Sequence, residues 1–311
     1  MPIRTVGRLI GRTFAEYLSD GCPQMAAALA YYTIFSLPPL LIMLMMLLGT
    51  VVEPETVERV LAGQIGALLG PRGAAQVGEL LRNASGPEVG GVATVVTVIG
   101  FLFGSTASFV MLQGALNTAW EVAPDPKRGD VKNFLLKRVV SLGMILAIGF
   151  LLLVSLTVNS LLAALGSALE RFLPAGLSEG LLRGMTLGLS LSVATLLFAA
   201  IFVYLPDATV RWRHALLGAL VTALLFTGGQ WAIGAYIGRT DPGSAYGAAG
   251  SVAVLLLWIY YSALIVLLGA EFTQVWSRHR GTPITPEPGA VRVIHKQERY
   301  TGGEAAADPD A

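Results

Sequence analysis

A few ionisable and polar side chains lie within or beside long apolar stretches of this sequence, and they are the first candidates for chemistry. Glu271 is the only carboxylate near the interior of such a stretch, and Gln274 follows it by one helical turn. Uncharged polar side chains occur in other apolar stretches, at Gln113, Asn117, Asn159 and Gln230. Facing lipid would cost each such group several kcal/mol, on the order of 2–7. We therefore expect them to face protein or a watery cavity, although a carboxylate in mid-span would support a proton relay better.

A proline pair marks a second candidate site. In Ser36-Leu37-Pro38-Pro39, each proline lacks a backbone donor and blocks the carbonyl one turn earlier. This predicts a kinked helix whose freed carbonyls could meet an ion or a polar ligand, although kinks also serve packing. Tyr32, one turn before the kink, fits an interfacial anchor better than a ligand. The remaining candidates for a solute pathway are Asp241 and Tyr246, at a predicted outer turn that could equally be a plain connection, and Tyr261.

Signals for enzymatic chemistry are poor. The sequence has no Walker phosphate loop, no Gly-x-Ser-x-Gly elbow and no His-Glu-x-x-His. His214, His279 and His295 lack metal-ligand spacing, and the single cysteine, Cys22, cannot form an intrachain disulfide. A formal net charge of +1 offers no case for a nucleic-acid partner. We expect neither an enzyme nor a metal, cofactor or nucleic-acid binder.

Charge is distributed so that six long intervals contain no Asp, Glu, Lys or Arg. The chain of 311 residues is 54% hydrophobic and 13% charged, against about 25% charged in ordinary soluble domains. Each interval exceeds the roughly 20 residues that cross a bilayer as a helix. The predicted spans are Ala28–Val52, Gly91–Thr118, Val139–Ala163, Gly184–Leu205, Ala215–Tyr236 and Ala248–Thr273. The fold class is therefore an all-α polytopic membrane protein with six transmembrane helices.

Basic residues are distributed unevenly between the two sides of these spans. The N-terminus, the second gap, the fourth gap and the C-terminal tail hold most of the 21 lysines and arginines, whereas the alternate gaps hold Arg59, Arg72, Arg82, Arg171, Arg183 and Arg239. Cytoplasmic segments carry the excess of positive charge. Both termini are thus predicted to lie in the cytoplasm.

The segments outside the spans have distinct characters. Residues Pro2 to Leu18 are typical of an amphipathic helix in the inner headgroup layer or, nearly as well, of a loose cytoplasmic helix. Residues 53–88 have two apolar helical stripes around Gly70-Pro71, which predicts an outer helical hairpin. The proline-rich and glycine-rich segment 281–311 is expected to be a disordered cytoplasmic tail, which leaves 1–280 as the transmembrane domain.

Small residues recur at every fourth position in three spans. The rows are Gly100, Gly104 and Ser108, then Gly184, Gly188 and Ser192, then Gly234 and Gly238. Such rows allow helix backbones to approach closely in lipid. Packing within the chain is the default interpretation, and rows left exposed would be a reason to suspect a homodimer. Membrane lipids are the other expected partners.

Three motifs in this order resemble the YihY/BrkB family of bacterial inner-membrane proteins. The first runs from Ala28 to Leu40, the second is Asn117-Thr118-Ala119-Trp120, and the third runs from Asp241 to Phe272 and includes Trp258-Ile259-Tyr260-Tyr261. The resemblance covers roughly residues 10 to 280 and implies a six-helix inner-membrane protein. It also brings the labels virulence factor and, formerly, ribonuclease BN. The ribonuclease label conflicts with the residues, because no clustered His and Asp ligands could activate water.

The leading hypothesis is a transporter or exporter of an amphiphilic, lipid-like envelope solute or of an ion, in the cytoplasmic membrane of a bacterium. If the cargo is a cation exchanged for protons, Glu271 is the one good carboxylate. The rival hypothesis is a structural or envelope-assembly protein that moves nothing. A membrane ribonuclease is the third, and we consider that assignment an error.

Overall fold

The structure is a computed structural model that describes residues 3–48, 53, 92–126, 139, 143, 175–240 and 250–293. Most of the predicted outer hairpin and third span, with Asn159, lies outside these residues, as do Asp241 and Tyr246. The six helices within them are α1 (Ile3–Ser19), α2 (Cys22–Leu48), α3 (Val92–Ala119), α4 (Ala175–Tyr204), α5 (Trp212–Thr240) and α6 (Gly250–His279). A mainly helical fold is therefore confirmed. Five of these helices coincide with five predicted spans.

Two helical stretches in the described part of the chain are long and apolar enough to cross a membrane. They are Gly184–Tyr204 in α4 and Val252–His279 in α6. The surface of α4 carries large exposed apolar side chains, among them Leu187 and Leu196. Exposure of such an apolar surface is unfavourable in water and favourable against lipid tails.

Helix α2 passes through the proline pair without ending. It is helical from Cys22 to Leu48, and the kink predicted at Ser36 to Pro39 stays a prediction. Ser36 is buried, and its hydroxyl donates to the carbonyl of Thr33 at 3.1 Å. Prolines are tolerated in membrane helices where side chains and neighbouring helices satisfy the freed backbone groups.

Helix α1 packs along the end of α6 through one narrow edge. Leu9, Thr13 and Tyr17 are buried there. Most of the predicted apolar stripe points elsewhere, since Ile10 and Phe14 are each about half exposed. Gly21 then turns the chain into α2 with φ of 67°, a conformation that glycine adopts without strain.

The chain between the helices forms two small antiparallel sheets at one end of the bundle. Strand β1 (Val122–Pro124) pairs with β4 (Ala290–Arg292), and β2 (Ala208–Thr209) pairs with β3 (Thr285–Pro286). The segments that follow α3, α4 and α6 therefore meet where α1 also lies.

These strands correct the prediction that the chain is disordered from residue 281 onward. Residues 281–293 are ordered, and Ile284 is buried. Their backbone groups find partners on earlier loops: Glu287 N–H donates to Asp207 O at 3.0 Å, and Val293 N–H donates to Glu121 O at 2.8 Å. The prolines that suggested disorder are compatible with short edge strands. The rest of the predicted tail lies outside the described residues.

Helices α5 and α6 approach each other closely through two reciprocal glycine–threonine pairs. A Cβ on Gly218 would lie 1.8 Å from Thr273 Oγ1, and a Cβ on Gly269 would lie 1.8 Å from Thr222 Oγ1. Both hydroxyls donate to carbonyls within their own helices, at 2.7 and 2.8 Å. Only glycine allows this approach.

The predicted small-residue rows have different outcomes. Ser108 of the first row contacts Ser36 of α2. In the second row, a Cβ on Gly184 or Gly188 would meet nothing within 4 Å among the described residues. The predicted third span lies mostly outside those residues, so packing of this row within the chain stays a prediction. The side chains beyond Ala232 in α5, where the third row falls, are outside the described residues.

Candidate functional site

Glu271 lies at the centre of a buried pocket where four parts of the chain meet. Its side chain, in the last third of α6, is 0% exposed. Cys22, the first residue of α2, donates its thiol to Glu271 Oε1 at 3.5 Å. Trp120, just after α3, donates its indole N–H to the carbonyl of Ala270 at 3.0 Å. Tyr17 of α1 is buried beside them. We call this the Glu271 pocket.

The described residues supply few hydrogen-bond donors to the Glu271 pocket. Glu271 Oε2 and Gln274 Oε1 are both buried and accept no hydrogen bond from them. The carboxyl of Asp20, in the turn between α1 and α2, interacts with that of Glu271. Two carboxyl groups can hydrogen-bond each other only when one of them carries a proton. A buried acceptor without a donor costs roughly 1–3 kcal/mol of stability, and more if it is charged. The pocket in this state therefore destabilises the fold.

A second polar group, formed by the half-buried Asp207 with the buried Gln113 and Asn117, has hydrogen bonds to both carboxylate oxygens of Asp207, and we call it the Asp207 clamp. Asp207 follows α4, and its two carboxylate oxygens accept from Gln113 Nε2 at 3.2 Å and from Asn117 Nδ2 at 2.7 Å. The backbone N–H of Asp207 donates back to Asn117 Oδ1 at 2.8 Å. The two amides, which the sequence suggested for a solute pathway, hold α3 to the end of α4.

A third buried contact links α2 to α3. The hydroxyl oxygens of Ser36 and Ser108 lie 3.0 Å apart, within hydrogen-bond distance, and both serines are at least nine-tenths buried. Thr106 of α3 is also fully buried. Hydroxyl pairs of this kind are common between membrane helices, where they stabilise packing modestly. The candidate Ser36 is therefore part of a helix interface.

Beyond the Glu271 pocket, toward the end of α6, a cluster of charges ties four segments together. Arg278 pairs with Glu16 of α1 at 3.2 Å and with Glu121 at 2.8 Å, and Arg292 of β4 also pairs with Glu121, at 3.1 Å. Glu121 adopts a left-handed backbone conformation, φ 57°, at the residue that leaves α3. Helix ends commonly take this conformation.

The two carboxylates of this ion cluster respond differently to it. Burial alone would raise the pKa of Glu121, but hydrogen bonds from Arg278 and Arg292 outweigh burial and lower it. Burial raises the pKa of Glu16, because Arg278 opposes that effect only in part and Asp20 and Glu121 add to it. Glu121 is therefore the anion that holds the cluster together.

The remaining predicted pathway residues do not join the Glu271 pocket. Tyr32 and Gln230 are exposed, and Tyr261 donates its hydroxyl to the carbonyl of Leu225 at 3.2 Å across Gly229. Pro38 and Pro39 lie within α2, but their side chains are outside the described residues. Of the twelve candidates, Glu271 alone has a buried polar atom without a partner among the described side chains.

Sequence reasoning missed Asp20, Cys22 and Asp207. Asp20 and Asp207 lie at the edges of charge-free intervals, and Cys22 was considered only as a candidate for a disulfide. A signal was available, since Asp207 is the only acidic residue between α4 and α5 and Asp20 directly precedes the first interval. Within the described residues, no three His, Cys, Asp or Glu side chains converge as metal ligands. The donor set of the pocket is thus a carboxyl pair and a thiol.

The comparisons with known proteins decide the family. Residues 13–293 match the family Virulence factor BrkB. The chain belongs to the BrkB family. The match ends just past β4, so the family region includes the strands that follow α6, further than the sequence motifs suggested.

Relatives of this BrkB family member are named membrane proteins. A UPF0761 membrane protein of Azotobacter vinelandii is 31% identical over 306 residues, which is 96% of this chain and 71% of that protein. One of Pseudomonas aeruginosa LESB58 is 30% identical over 298 residues, 91% of this chain and 68% of that protein. No solved structure matches. With its apolar helices, this BrkB family chain is a membrane protein.

Proposed function

We propose that this BrkB family protein is a non-enzymatic transporter or exporter in the bacterial inner membrane, and that it moves an amphiphilic, lipid-like envelope solute or an ion. The observation that carries the proposal is the Glu271 pocket. Its carboxyl is fully buried, one oxygen has no hydrogen-bond partner in the part of the chain that the structure describes, and the carboxyl group of Asp20 interacts with it. Ionisable groups at membrane depth are costly and mark solute or ion pathways by default.

The proposed topology has six spans, a kinked first span and both termini in the cytoplasm. Two observations support it. The N-terminal helix, the segments after α3 and α4, and the segment after α6 meet at one end of the bundle, and these are the segments richest in Lys and Arg. In addition, α1 leaves Val6, Ile10 and Phe14 exposed alongside Arg8 and Arg12, as suits a helix in the headgroup layer.

A structural role is the rival proposal, and the donor shortage argues against it. A protein that only holds the envelope together gains nothing from a buried acceptor with no donor, since an apolar side chain of similar volume would fill that position at lower cost. The Asp207 clamp illustrates how this chain builds a structural polar contact, with both oxygens satisfied. A ribonuclease would need clustered metal ligands, which neither the sequence nor the Glu271 pocket supplies.

The test is reconstitution of the purified full chain in liposomes that contain fluorescent lipid reporters and ion-sensitive dyes. We expect flux of one kind above empty vesicles, and at least a tenfold loss in Glu271→Gln. Glu53→Gln is the matched control, because Glu53 is an exposed carboxylate. Flux of neither kind would contradict transport. The structural rival predicts instead that loss of function maps to residues 53–88 or to the cytoplasmic loops, while Ser36, Asn159 and Gln230 tolerate alanine.

A further inference from the structure

We propose that the outward face of α1 is a binding site for an anionic phospholipid. The phosphate of the headgroup lies at Arg8 and Arg12, and an acyl chain lies along Val6, Ile10 and Phe14. The site is an interaction surface of the protein, and it does not depend on the transport function proposed above. It is inferred from rows of side chains on α1 whose chemistry and exposure follow a fixed order.

The first step is a repeat of four residues in the sequence of α1. An apolar residue, a small residue, a charged residue and a fourth residue follow one another in Val6-Gly7-Arg8-Leu9, Ile10-Gly11-Arg12-Thr13 and Phe14-Ala15-Glu16-Tyr17. Residues four apart lie on the same face of a helix, and successive residues are about 100° apart around it. The repeat therefore predicts four rows that run along α1.

The structure shows which of these rows face the protein and which face outward. The row buried against the rest of the protein consists of Leu9, Thr13 and Tyr17. The apolar row is between 42% and 66% exposed, and it consists of Val6, Ile10, Phe14 and Leu18. One side of α1 thus serves for packing within the chain, whereas the apolar row is open to an apolar partner.

The second step is the charge of the third row. Arg8 and Arg12 are exposed, and no carboxylate among the described residues forms a salt bridge with either of them. The next member of this row, Glu16, is instead paired with Arg278 of α6 at 3.2 Å. The two arginines are therefore a positive segment beside the exposed apolar row, and an anionic group complements that segment.

The third step is the order of the rows around the helix. Gly7 and Gly11 lie between the apolar row and the arginines, and a Cβ on either glycine would meet nothing within 4 Å. A phospholipid has the same order of parts, with acyl chains, then glycerol, then phosphate. One lipid molecule can thus contact both rows, and each guanidinium can donate two hydrogen bonds to phosphate oxygens.

The setting of α1 favours lipid over other occupants of this face. The chain is a membrane protein of the BrkB family, and Gly21 alone separates α1 and its turn from the apolar helix α2. Helices with an apolar and a basic side lie in the membrane surface, where anionic lipids attract basic residues. A second copy that used the same face would bring its own Arg8 and Arg12 against these two, and like charges repel each other.

The experiment is native mass spectrometry of the purified full chain in detergent, titrated separately with phosphatidylglycerol and phosphatidylcholine of the same acyl chains. We expect wild type to bind phosphatidylglycerol roughly tenfold more tightly, because basic residues near a membrane attract anionic lipid. Arg8→Gln/Arg12→Gln should lose most of this preference, whereas Arg8→Lys/Arg12→Lys should keep most of it. Arg280→Gln is the matched control, since it removes an exposed positive charge from the end of α6 and should keep the full preference.

The apolar row is tested by Ile10→Ser/Phe14→Ser. This variant should bind both lipids several-fold more weakly, because the two lipids share the same acyl chains. All substituted side chains are exposed, so each variant should match the melting temperature of wild type.

Three results would overturn the inference. The first is equal affinity of wild type for the two lipids, and the second is a preference that survives in Arg8→Gln/Arg12→Gln. The third is a dimer in the wild-type spectra that dissociates in Ile10→Ser/Phe14→Ser, which would assign this face to a second copy of the chain.

Flux measurements separate this inference from the proposed function. A phosphatidylglycerol preference that depends on Arg8 and Arg12, in a protein that moves no solute, would keep the lipid site and remove the transport proposal. Solute flux in a protein that binds the two lipids equally would keep transport and overturn the lipid site.

Discussion

The Asp207 clamp and the Glu271 pocket are two polar groups near the same end of the bundle, the first around a half-buried carboxylate and the second around a fully buried one, and their hydrogen bonding differs. In the clamp, Gln113 and Asn117 supply donors to both carboxylate oxygens of Asp207. In the pocket, Glu271 accepts one weak hydrogen bond from a thiol, and its other oxygen is buried with no hydrogen-bond partner among the described side chains. The half-buried carboxylate of Asp207 is thus fully hydrogen-bonded, whereas the fully buried carboxyl of Glu271 is not.

This difference in hydrogen bonding distinguishes a structural polar contact from a functional one. A satisfied buried network stabilises one arrangement of helices, whereas an incomplete one costs stability and persists where a ligand completes it. Substitutions in the clamp should therefore lower stability and leave activity per folded molecule intact. Substitutions in the pocket should leave stability intact and lower activity per folded molecule. Four substitutions outside the pocket test this contrast, beginning with the largest effect on stability.

Asp207→Ala should have the largest effect on stability. It leaves two buried amides without their charged acceptor, and hydrogen bonds to charged groups contribute about 1.5–3 kcal/mol each. We expect a loss of about 3 kcal/mol in the free energy of unfolding, measured by denaturant titration in detergent micelles. Flux per folded molecule in liposomes should match wild type. A stable Asp207→Ala variant that lost flux would place the clamp in the transport pathway and contradict its assignment as a structural contact.

Gly269→Ala should have the second-largest effect on stability, a loss of about 2 kcal/mol in the free energy of unfolding. The added methyl group would lie 1.8 Å from Thr222 Oγ1, and overpacking of this kind typically costs about 1–3 kcal/mol. Thr222→Gly in the same chain removes both the hydroxyl and its Cβ and should restore most of the loss. The measurement is the same unfolding titration. No rescue by the second substitution would mean that α5 and α6 are not in this register.

Glu121→Gln should cost about 1 kcal/mol at neutral pH, because its ion pairs with Arg278 and Arg292 are partly exposed to solvent. The pKa of Glu121 is lowered in the folded protein, so its contribution is present above the ordinary value of 4.5 and is lost as pH falls through the lowered value. Melting temperature against pH should therefore fall less steeply in acid for the variant. Parallel curves for the two proteins would contradict a lowered pKa at Glu121.

Ser36→Ala should have the smallest effect on the free energy of unfolding, a loss below about 1 kcal/mol. Hydrogen bonds between membrane helices contribute about 0.6 kcal/mol on average. Ser108→Ala is its partner in a double-mutant cycle, and the pair should show a coupling of similar size. Flux should be unchanged in all three variants. A large loss of flux in Ser36→Ala, with stability intact, would indicate that Ser36 belongs to the transport pathway and not only to a helix interface.

Much of the helical scaffold could be predicted from the sequence, because absence of charge over more than about 20 residues is a strong constraint. Five of the six predicted spans coincide with helices in the described chain. The small-residue rows were a weaker guide. The interlocked pairs Gly218–Thr273 and Gly269–Thr222 depend on which faces of α5 and α6 meet, and a spacing of four on one helix carries no information about its partner.

The candidate site was predictable only in part. Glu271 was identified because a carboxylate in an apolar interval is unusual. Asp20 and Cys22 were not, since they are about 250 positions away in sequence and only the fold brings them together. Gln113 and Asn117 have the same polarity in sequence whether they face a cavity or a carboxylate, so their role as ligands of Asp207 could not be read from residue type.

The most direct test of the contrast is one pair of measurements on Glu271→Gln, made on the same preparation. Replacing the carboxyl by an isosteric amide supplies a donor to the acceptor-rich pocket, so we expect the free energy of unfolding to be unchanged or slightly higher. Flux in liposomes should fall at least tenfold. A variant that unfolds several kcal/mol more easily yet transports normally per folded molecule would contradict the central claim, because Glu271 would then be a structural residue like Asp207.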